Sequence, residues 1–368
     1  AARPADPLHQ QSRGNCGQGD GHDSHRDRQR CPGRVIAQAG TDDSGKCHDH
    51  DRPRRRDQLA GDQNAQVGTN DHRCSHGGSV PQKRSPRWLQ QLPVTIRAML
   101  VDLHTHTTAS DGALTPLELL EHVRAAGVEL WSVTDHDTIA AYADLTAAHG
   151  IHLVAGVELS ATWAGRGVHI VGLNVDLDSE DLGETLRRHQ AARERRAVLI
   201  AKRLEHRGLE IDLDLIRCST NAHSIGRPHF AHALVSSGQV KDIRTAFRKY
   251  LGAGKAGDVK TEWPELAEAV SAIGAAGGTA VLAHPSKYRL TRTRLRCLAE
   301  DFKAAGGNAV EIVCGRQEQD VTRHLAELAQ DCGFSVSVGS DFHAPLSWSQ
   351  PGVAADVIRD CRPVWDQW

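Results

Sequence analysis

The chain has 368 residues, a formal net charge of −2 at neutral pH, and 39% apolar residues. So even a charge balance excludes a bulk basic footprint of the kind that binds nucleic acid along a whole domain. No run of about 18 apolar residues occurs, which excludes a helical membrane span.

The first 98 residues are crowded with Arg, Gln, Asp, His and Gly, as in His22-Asp23-Ser24-His25-Arg26-Asp27-Arg28-Gln29-Arg30. Apolar residues there follow neither period 2 nor period 3.6, so no face can be buried to offset the entropy of ordering. A disordered tail and a targeting peptide are both conceivable for such a stretch. A third reading accounts best for it: upstream sequence translated from a misplaced start, with the native protein beginning at Met99, the single methionine of the chain. Four of the nine cysteines fall in this stretch. The other five, Cys218, Cys297, Cys314, Cys332 and Cys361, are isolated and odd in number. They read as reduced thiols of a cytoplasmic protein, not as a disulfide framework.

From Leu100 short apolar runs alternate with helical stretches. Leu100–His106 reads as a strand. Thr115-Pro116-Leu117-Glu118 is a capping box with proline at the first helical position, opening a helix that Gly127 stops after Ala126. Glu129–Thr134 is the next strand, Thr138–His149 a helix, and His152–Val157 and Val168–Val175 are strands. Residues 179–266 break the rhythm and are mainly helical, with Glu180–Arg207, Pro228–Ser236 and Ile243–Tyr250 as the clearest segments. After the helix Pro264–Ala276 the alternation resumes: strand Thr279–Ala283, helix Arg292–Ala305, strand Ala309–Val313, helix Glu318–Asp331, strand Ser335–Val338. Repeated strand–helix units predict an α/β fold with a parallel sheet or barrel, built from residues 99–178 and 267–368 and carrying 179–266 as a helical insertion.

The residues able to bind metals fall at particular places in this pattern. His104 and His106 are two apart on the first strand and share a face, with Asp102 beside them to orient an imidazole. Asp111 lies in the following loop. His136 lies just past the second strand, Glu158 ends the third, His169 opens the fourth, His284 follows the strand Thr279–Ala283, and Asp341 and His343 follow the last. In a parallel α/β barrel such strand ends converge on one mouth. Nitrogen and carboxylate donors without thiolate suit Mn²⁺, Zn²⁺ or Fe²⁺. Nine donors exceed what one ion needs, so two or three ions are implied.

Asp102-Leu103-His104-Thr105-His106, Ser110-Asp111-Gly112, Thr134-Asp135-His136-Asp137, Gly156-Val157-Glu158, Ala283-His284-Pro285 and Gly339-Ser340-Asp341-Phe342-His343 resemble the ordered motifs of the polymerase and histidinol phosphatase (PHP) family. The resemblance spans Met99 to the C-terminus. It implies a distorted seven-stranded β/α barrel and a trinuclear metal site on His104, His106, Asp111, His136, Glu158, His169, His284, Asp341 and His343, with Mn²⁺ as the foremost metal. Within the inserted block, Ser224–Phe230 and Ala246–Gly252 resemble the branch holding 3′,5′-nucleoside bisphosphate phosphatase and the 5′→3′ exoribonuclease RNase AM. That implies substrate-phosphate binding by Arg227 and His229, with Arg193 or Arg196. A solvated helix face is the competing reading of Arg193–Arg196.

The expected function is hydrolysis of the 3′-phosphoester of a nucleoside 3′,5′-bisphosphate or short 5′-phosphorylated RNA by a metal-held hydroxide, His136, Asp341 and His343 holding the metals at the reaction centre. The alternatives are a histidinol-phosphatase-like activity and a non-catalytic metal-bound nucleic-acid accessory. The partners implied are a small nucleotide or RNA substrate, with no membrane and no obligate protein partner.

Overall fold

The computed structural model describes residues 99–145, 150–220, 224–259, 263–346, 349–358 and 360–368. The stretch 1–98, read above as upstream of the native start, lies outside the described residues.

Eight strands form one sheet: β1 (Leu100–Asp102), β2 (Leu130–Val133), β3 (His152–Trp163), β4 (Arg166–Leu173), β5 (Thr279–Leu282), β6 (Ala309–Cys314), β7 (Ser335–Gly339) and β8 (Val353–Ala354). Their order is β7-β6-β5-β4-β3-β2-β1-β8. Beyond its two ends the sheet nearly closes on itself, because Leu103 N–H donates to the Val338 carbonyl at 3.1 Å and His106 N–H to that of Phe342 at 2.9 Å. Gly339 is required at this closure. A Cβ there would lie 2.4 Å from His104 Cβ and 2.8 Å from His104 N. The main apolar core cluster includes fully buried Leu103, Leu130, Val157, Ile170, Leu282, Val310 and Val336.

Three expectations need correction. The sheet is not all parallel, since β4 runs antiparallel to both β3 and β5. The reason is local: only Ala164 and Gly165 separate β3 from β4, both at positive φ (47° and 70°), which is the two-residue hairpin turn and leaves no room for a crossover helix. The segment read as a helix over Thr138–His149 holds one 3₁₀ turn, Ala140–Ala143, while 146–149 lie outside the described residues. Tyr142 anchors that turn, donating its hydroxyl proton to the Val133 carbonyl (2.6 Å) and accepting the Gly156 N–H (2.6 Å). An eighth strand, too short to give a period, pairs antiparallel with β1.

The helices are α1 (Pro116–Ala126), α2 (Glu180–Glu205), α3 (Leu213–Thr220), α4 (Arg227–Ser236), α5 (Ile243–Ala246), α6 (Leu266–Ala275), α7 (Arg292–Ala304) and α8 (Gln319–Cys332), with a π-helical turn at Phe247–Leu251. At α1 the Thr115 hydroxyl accepts the Glu118 N–H, the Glu118 carboxylate accepts the Thr115 N–H at 2.8 Å, and Gly127 ends the helix at φ 78°. The second half of α2 packs with α3, α4 and the π turn around its own apolar cluster, including Ile200, Leu204, Phe230, Leu234 and Leu251. Among the described residues no helix is long and apolar enough to cross a membrane.

Candidate metal centre

Regular strand pairing in β1 stops at Asp102, so His104 and His106 lie just past the strand and reach the barrel mouth from the closing segment. His136 follows β2 and bridges to Glu158, which is inside β3 and not at its end, because β3 runs on into the hairpin. His169 sits within β4 opposite Ser160. His284 and Asp341 follow β5 and β7 with backbone φ of 29° and 51°, a region disfavoured for residues bearing a Cβ.

All nine expected side chains meet. Fully buried Glu158 is the hub: Oε1 lies 2.9 Å from His169 Nδ1 and 2.8 Å from His284 Nε2, and Oε2 lies 2.9 Å from His136 Nδ1, 3.3 Å from His104 Nε2 and 3.4 Å from His106 Nε2. Asp341 Oδ1 is 3.1 Å from His106 Nε2 and 3.5 Å from His343 Nδ1, and Asp111 Oδ1 is 3.3 Å from His343 Nε2. Overlapping triads and one tetrad therefore bring single donor atoms within 4.8 Å of one another: His106, Asp111, His136 and His343; His104, Glu158 and His284; His104, His106 and Asp341; His136, Glu158 and His169.

Several donors in this group are buried yet make no hydrogen bond: His104 Nε2, His106 Nδ1, Asp111 Oδ1, His136 Nδ1, Glu158 Oε2 and His284 Nδ1. Proximity without hydrogen-bond alignment means that these atoms point at shared positions more than at each other. Leaving a buried polar atom unsatisfied costs about 1–3 kcal/mol, and so many at one place fit divalent cations. The protonation states of three of the histidines agree. Burial, then the neighbouring His343 and His136, hold His106 well below the ordinary imidazole value, and burial brings His169 down to about 4 and lowers His284. Neutral imidazoles keep a lone pair for a metal. Burial opposes the charge of Glu158 and Asp111, but the surrounding histidines outweigh it and keep both carboxylates ionised.

Two supporting carboxylates differ from the sequence reading. Asp102 orients no imidazole. It accepts backbone N–H groups of His104 (3.3 Å), Ser340 (2.8 Å) and Gly352 (2.8 Å), tying three segments of the closure together. The carboxylate that orients an imidazole is Glu311 on β6, unnoticed in the sequence: it lies 3.1 Å from His104 Nδ1 and accepts His284 N–H at 2.6 Å. In the sequence it stands only as a lone acidic residue inside the apolar run Ala309–Val313.

The cluster opens into a cavity of about 470 Å³ lined also by Arg166, Arg193, Arg196, Arg227, Trp263 and Lys287. Arg193 and Arg196, only 5% and 7% exposed, do not form a solvated face. Asp137 holds Arg193 through Nε (2.7 Å) and Nη2 (2.6 Å), Val259 accepts from Arg196 Nε (2.9 Å), and both guanidinium groups lie over the Trp263 ring at 5.1 and 5.4 Å. Burial and then the charges of Arg227 and Arg193 push Arg196 well below the ordinary guanidinium value, so an anion in the cavity relieves it. Gly226 lies between arginines and cluster, since a Cβ built on it would stand 3.7 Å from Arg193 Nη1 and 3.9 Å from Asp111 Oδ2. His229 does not line the cavity; its Nδ1 accepts the Gly226 N–H at 2.8 Å and closes the first turn of α4. Lys287 pairs with the outer oxygen of Asp341.

No family model matches the chain. It is 42% identical over 269 residues to a 5′-3′ exoribonuclease of Haemophilus influenzae, covering 72% of this chain and 98% of that one. It is likewise 42% identical over 270 residues to a 3′,5′-nucleoside bisphosphate phosphatase of Chromobacterium violaceum, covering 72% and 95%. Among solved structures it is similar to an amidohydrolase of Chromobacterium violaceum holding sulfate (TM-score 0.67, 40% identity, 73% and 95% covered). A protein of Bifidobacterium adolescentis described as a metal-dependent phosphoesterase follows (TM-score 0.61, 28% identity, 71% and 94% covered). With nine His, Asp and Glu side chains able to hold metal gathered at the mouth of a barrel and relatives of this closeness matched over nearly their whole length, the chain belongs to the PHP family of metal-dependent phosphoesterases, in the branch of the 5′-3′ exoribonucleases and the 3′,5′-nucleoside bisphosphate phosphatase.

Proposed function

We propose that this enzyme hydrolyses the 3′-phosphoester of nucleoside 3′,5′-bisphosphates and of short 5′-phosphorylated RNA. The observation that carries the reading is one cavity with a His/Asp/Glu cluster at one wall and three arginines at another. Two or three divalent ions, Mn²⁺ foremost, would be held by His104, His106, Asp111, His136, Glu158, His169, His284, Asp341 and His343. Such ions supply an acidified water and charge neutralisation at the attacked phosphoryl group. Arg193, Arg196 and Arg227 bind the 5′-phosphate with their fixed charge and with the guanidinium N–H groups that their protein partners leave over, Asp137 already holding Nε and Nη2 of Arg193. Anchoring that remote phosphate aligns the 3′-ester with the cluster and converts binding into orientation. In this reading residues 179–266 act as an inserted subdomain whose task is to present the clamp. A small monoester such as histidinol phosphate has no second phosphate for it, and a non-catalytic role leaves nine assembled donors without a use.

The test uses the full chain with added Mn²⁺, then with chelator, on adenosine 3′,5′-bisphosphate, 5′-phosphorylated RNA and histidinol phosphate. Metal-dependent release from the first two, and loss of it in a His136→Ala, Asp341→Ala double variant, is the expected result. Preference for histidinol phosphate, or near-normal turnover by the double variant, refutes the proposal.

A further inference from the structure

Hydrolysis of a bisphosphate needs only groups inside the cavity, yet the cavity lip continues into a run of cations. From Lys287 to Arg296 the chain carries Lys287, Arg289, Arg292, Arg294 and Arg296 and no acidic residue. The run starts in the 3₁₀ turn Pro285–Tyr288, directly after His284, and continues along the first turns of α7. Lys287 lines the cavity, and Arg289 follows it within about 7 Å of backbone. Arg289, Arg292 and Arg294 are all exposed. Arg294 lies over the Trp163 ring at 4.7 Å, at the turn end of the β3–β4 hairpin, whose other arm begins with the cavity-lining Arg166. Lys287 is paired with Asp341 and Arg296 with Asp331, whereas among the described residues Arg166, Arg289 and Arg292 have no ion pair. Arg289 also takes the left-handed conformation (φ 52°), which Gly or Asn adopts more readily than arginine.

The position of this strip decides what it can serve. The arginine clamp meets the barrel at Asp137 and Ser160, beside β2 and β3, whereas Lys287 follows β5 and reaches Asp341 after β7. The cluster spans the mouth from one place to the other, with His136 and Glu158 at β2 and β3 and with His284 and Asp341 after β5 and β7. A strand whose 5′-phosphate sits in the clamp and whose 3′-ester sits at the cluster therefore emerges on the Lys287 side.

We propose that the strip Lys287–Arg289–Arg292–Arg294 carries the single-stranded RNA on the 3′ side of the bond that is cut, holding its phosphates without reading its bases. The inference rests on the phosphoester reading of the cavity. It is tested with an Arg289→Ser, Arg292→Ser variant of the full chain in Mn²⁺, because neither residue belongs to the cavity. Hydrolysis of adenosine 3′,5′-bisphosphate is expected to stay within about twofold of the parent. For a 5′-phosphorylated RNA octamer kcat/KM is expected to fall about tenfold or more, and its log–log salt dependence to become shallower by about 1.4, from about 0.7 per lost phosphate contact. Equal RNA kcat/KM and salt slope in variant and parent overturn the strip, as does a parallel loss on both substrates. A parent enzyme that cleaves the bisphosphate but no RNA overturns the strip and leaves the bisphosphate part of the phosphoester reading standing; one that cleaves neither ends both.

Discussion

Glu311 shows how much one buried carboxylate can control. Burial favours its neutral form, but His104 outweighs this and keeps it ionised. In return Glu311 and Glu158 raise His104 well above the ordinary imidazole value, although burial opposes it. With a metal on the nitrogen that faces Glu158, His104 would still be fixed by Glu311 through its other nitrogen, an arrangement that would make it a more basic ligand and set its direction. Glu311→Gln keeps the shape and loses the charge. Its metal affinity is expected to fall about 10–100-fold, read as the Mn²⁺ concentration giving half-maximal activity and as metal content after purification. An unchanged metal requirement would remove Glu311 from the centre. The nine His, Asp and Glu residues that meet here were visible in the sequence because most of them stand in short motifs next to predicted strands. Glu311 was missed because nothing in the local pattern separates an inward-pointing glutamate in a strand from a tolerated polar residue.

Helix α2 and the loop after β2 are joined at buried Asp137, which faces both Arg193 and, at 3.6 Å, His189. Asp137, at φ 55°, accepts from Arg193, from the Ser160 backbone N–H at 2.7 Å and from the Ser160 hydroxyl at 2.9 Å. Arg193 and its neighbours outweigh the burial that would raise this carboxyl, bringing it to about 2, so the charged pair persists throughout the neutral range. Asp137 touches no substrate in the proposed reaction; it positions Arg193. Asp137→Asn loses one charge-assisted contact, typically about 1.5–3 kcal/mol. KM for the bisphosphate is therefore expected to rise about 10–100-fold with a much smaller change in kcat. An equal drop in kcat with unchanged KM would instead place Asp137 with the adjoining His136. The helical period of residues 180–205 was legible in the sequence, but the burial of Arg193 and Arg196 was not: Arg193-Glu194-Arg195-Arg196 has the composition of a solvated face, and burial depends on what the rest of the fold lays over it.

Closure of the sheet sets the whole geometry, because His104, His106, Asp341 and His343 all sit where the first and last parallel strands meet. Gly339 lies at that seam. Gly339→Ala inserts a methyl group against His104 backbone and Cβ, neither of which can rotate away. Overpacking of this kind typically costs about 1–3 kcal/mol. The expected outcome is a lower melting temperature together with loss of metal-dependent activity, followed by thermal unfolding with and without Mn²⁺. A variant with parental stability and activity would show the seam to be looser than its distances.

Strand and helix segments, the capped first helix and the nine donors were legible from local order, because apolar period, capping chemistry and motif spacing act over a few residues. Pairing direction, the turn in place of a helix at Thr138–His149, the work of Asp102 and Glu311, the cap made by His229 and the burial of the clamp arginines came with the folded chain. His106 and Asp341 are 235 residues apart yet 3.1 Å from contact to contact. A sequence can mark both as donors, but the sheet that brings them together depends on hydrogen bonds and packing between distant strands, and those energies exist only after closure.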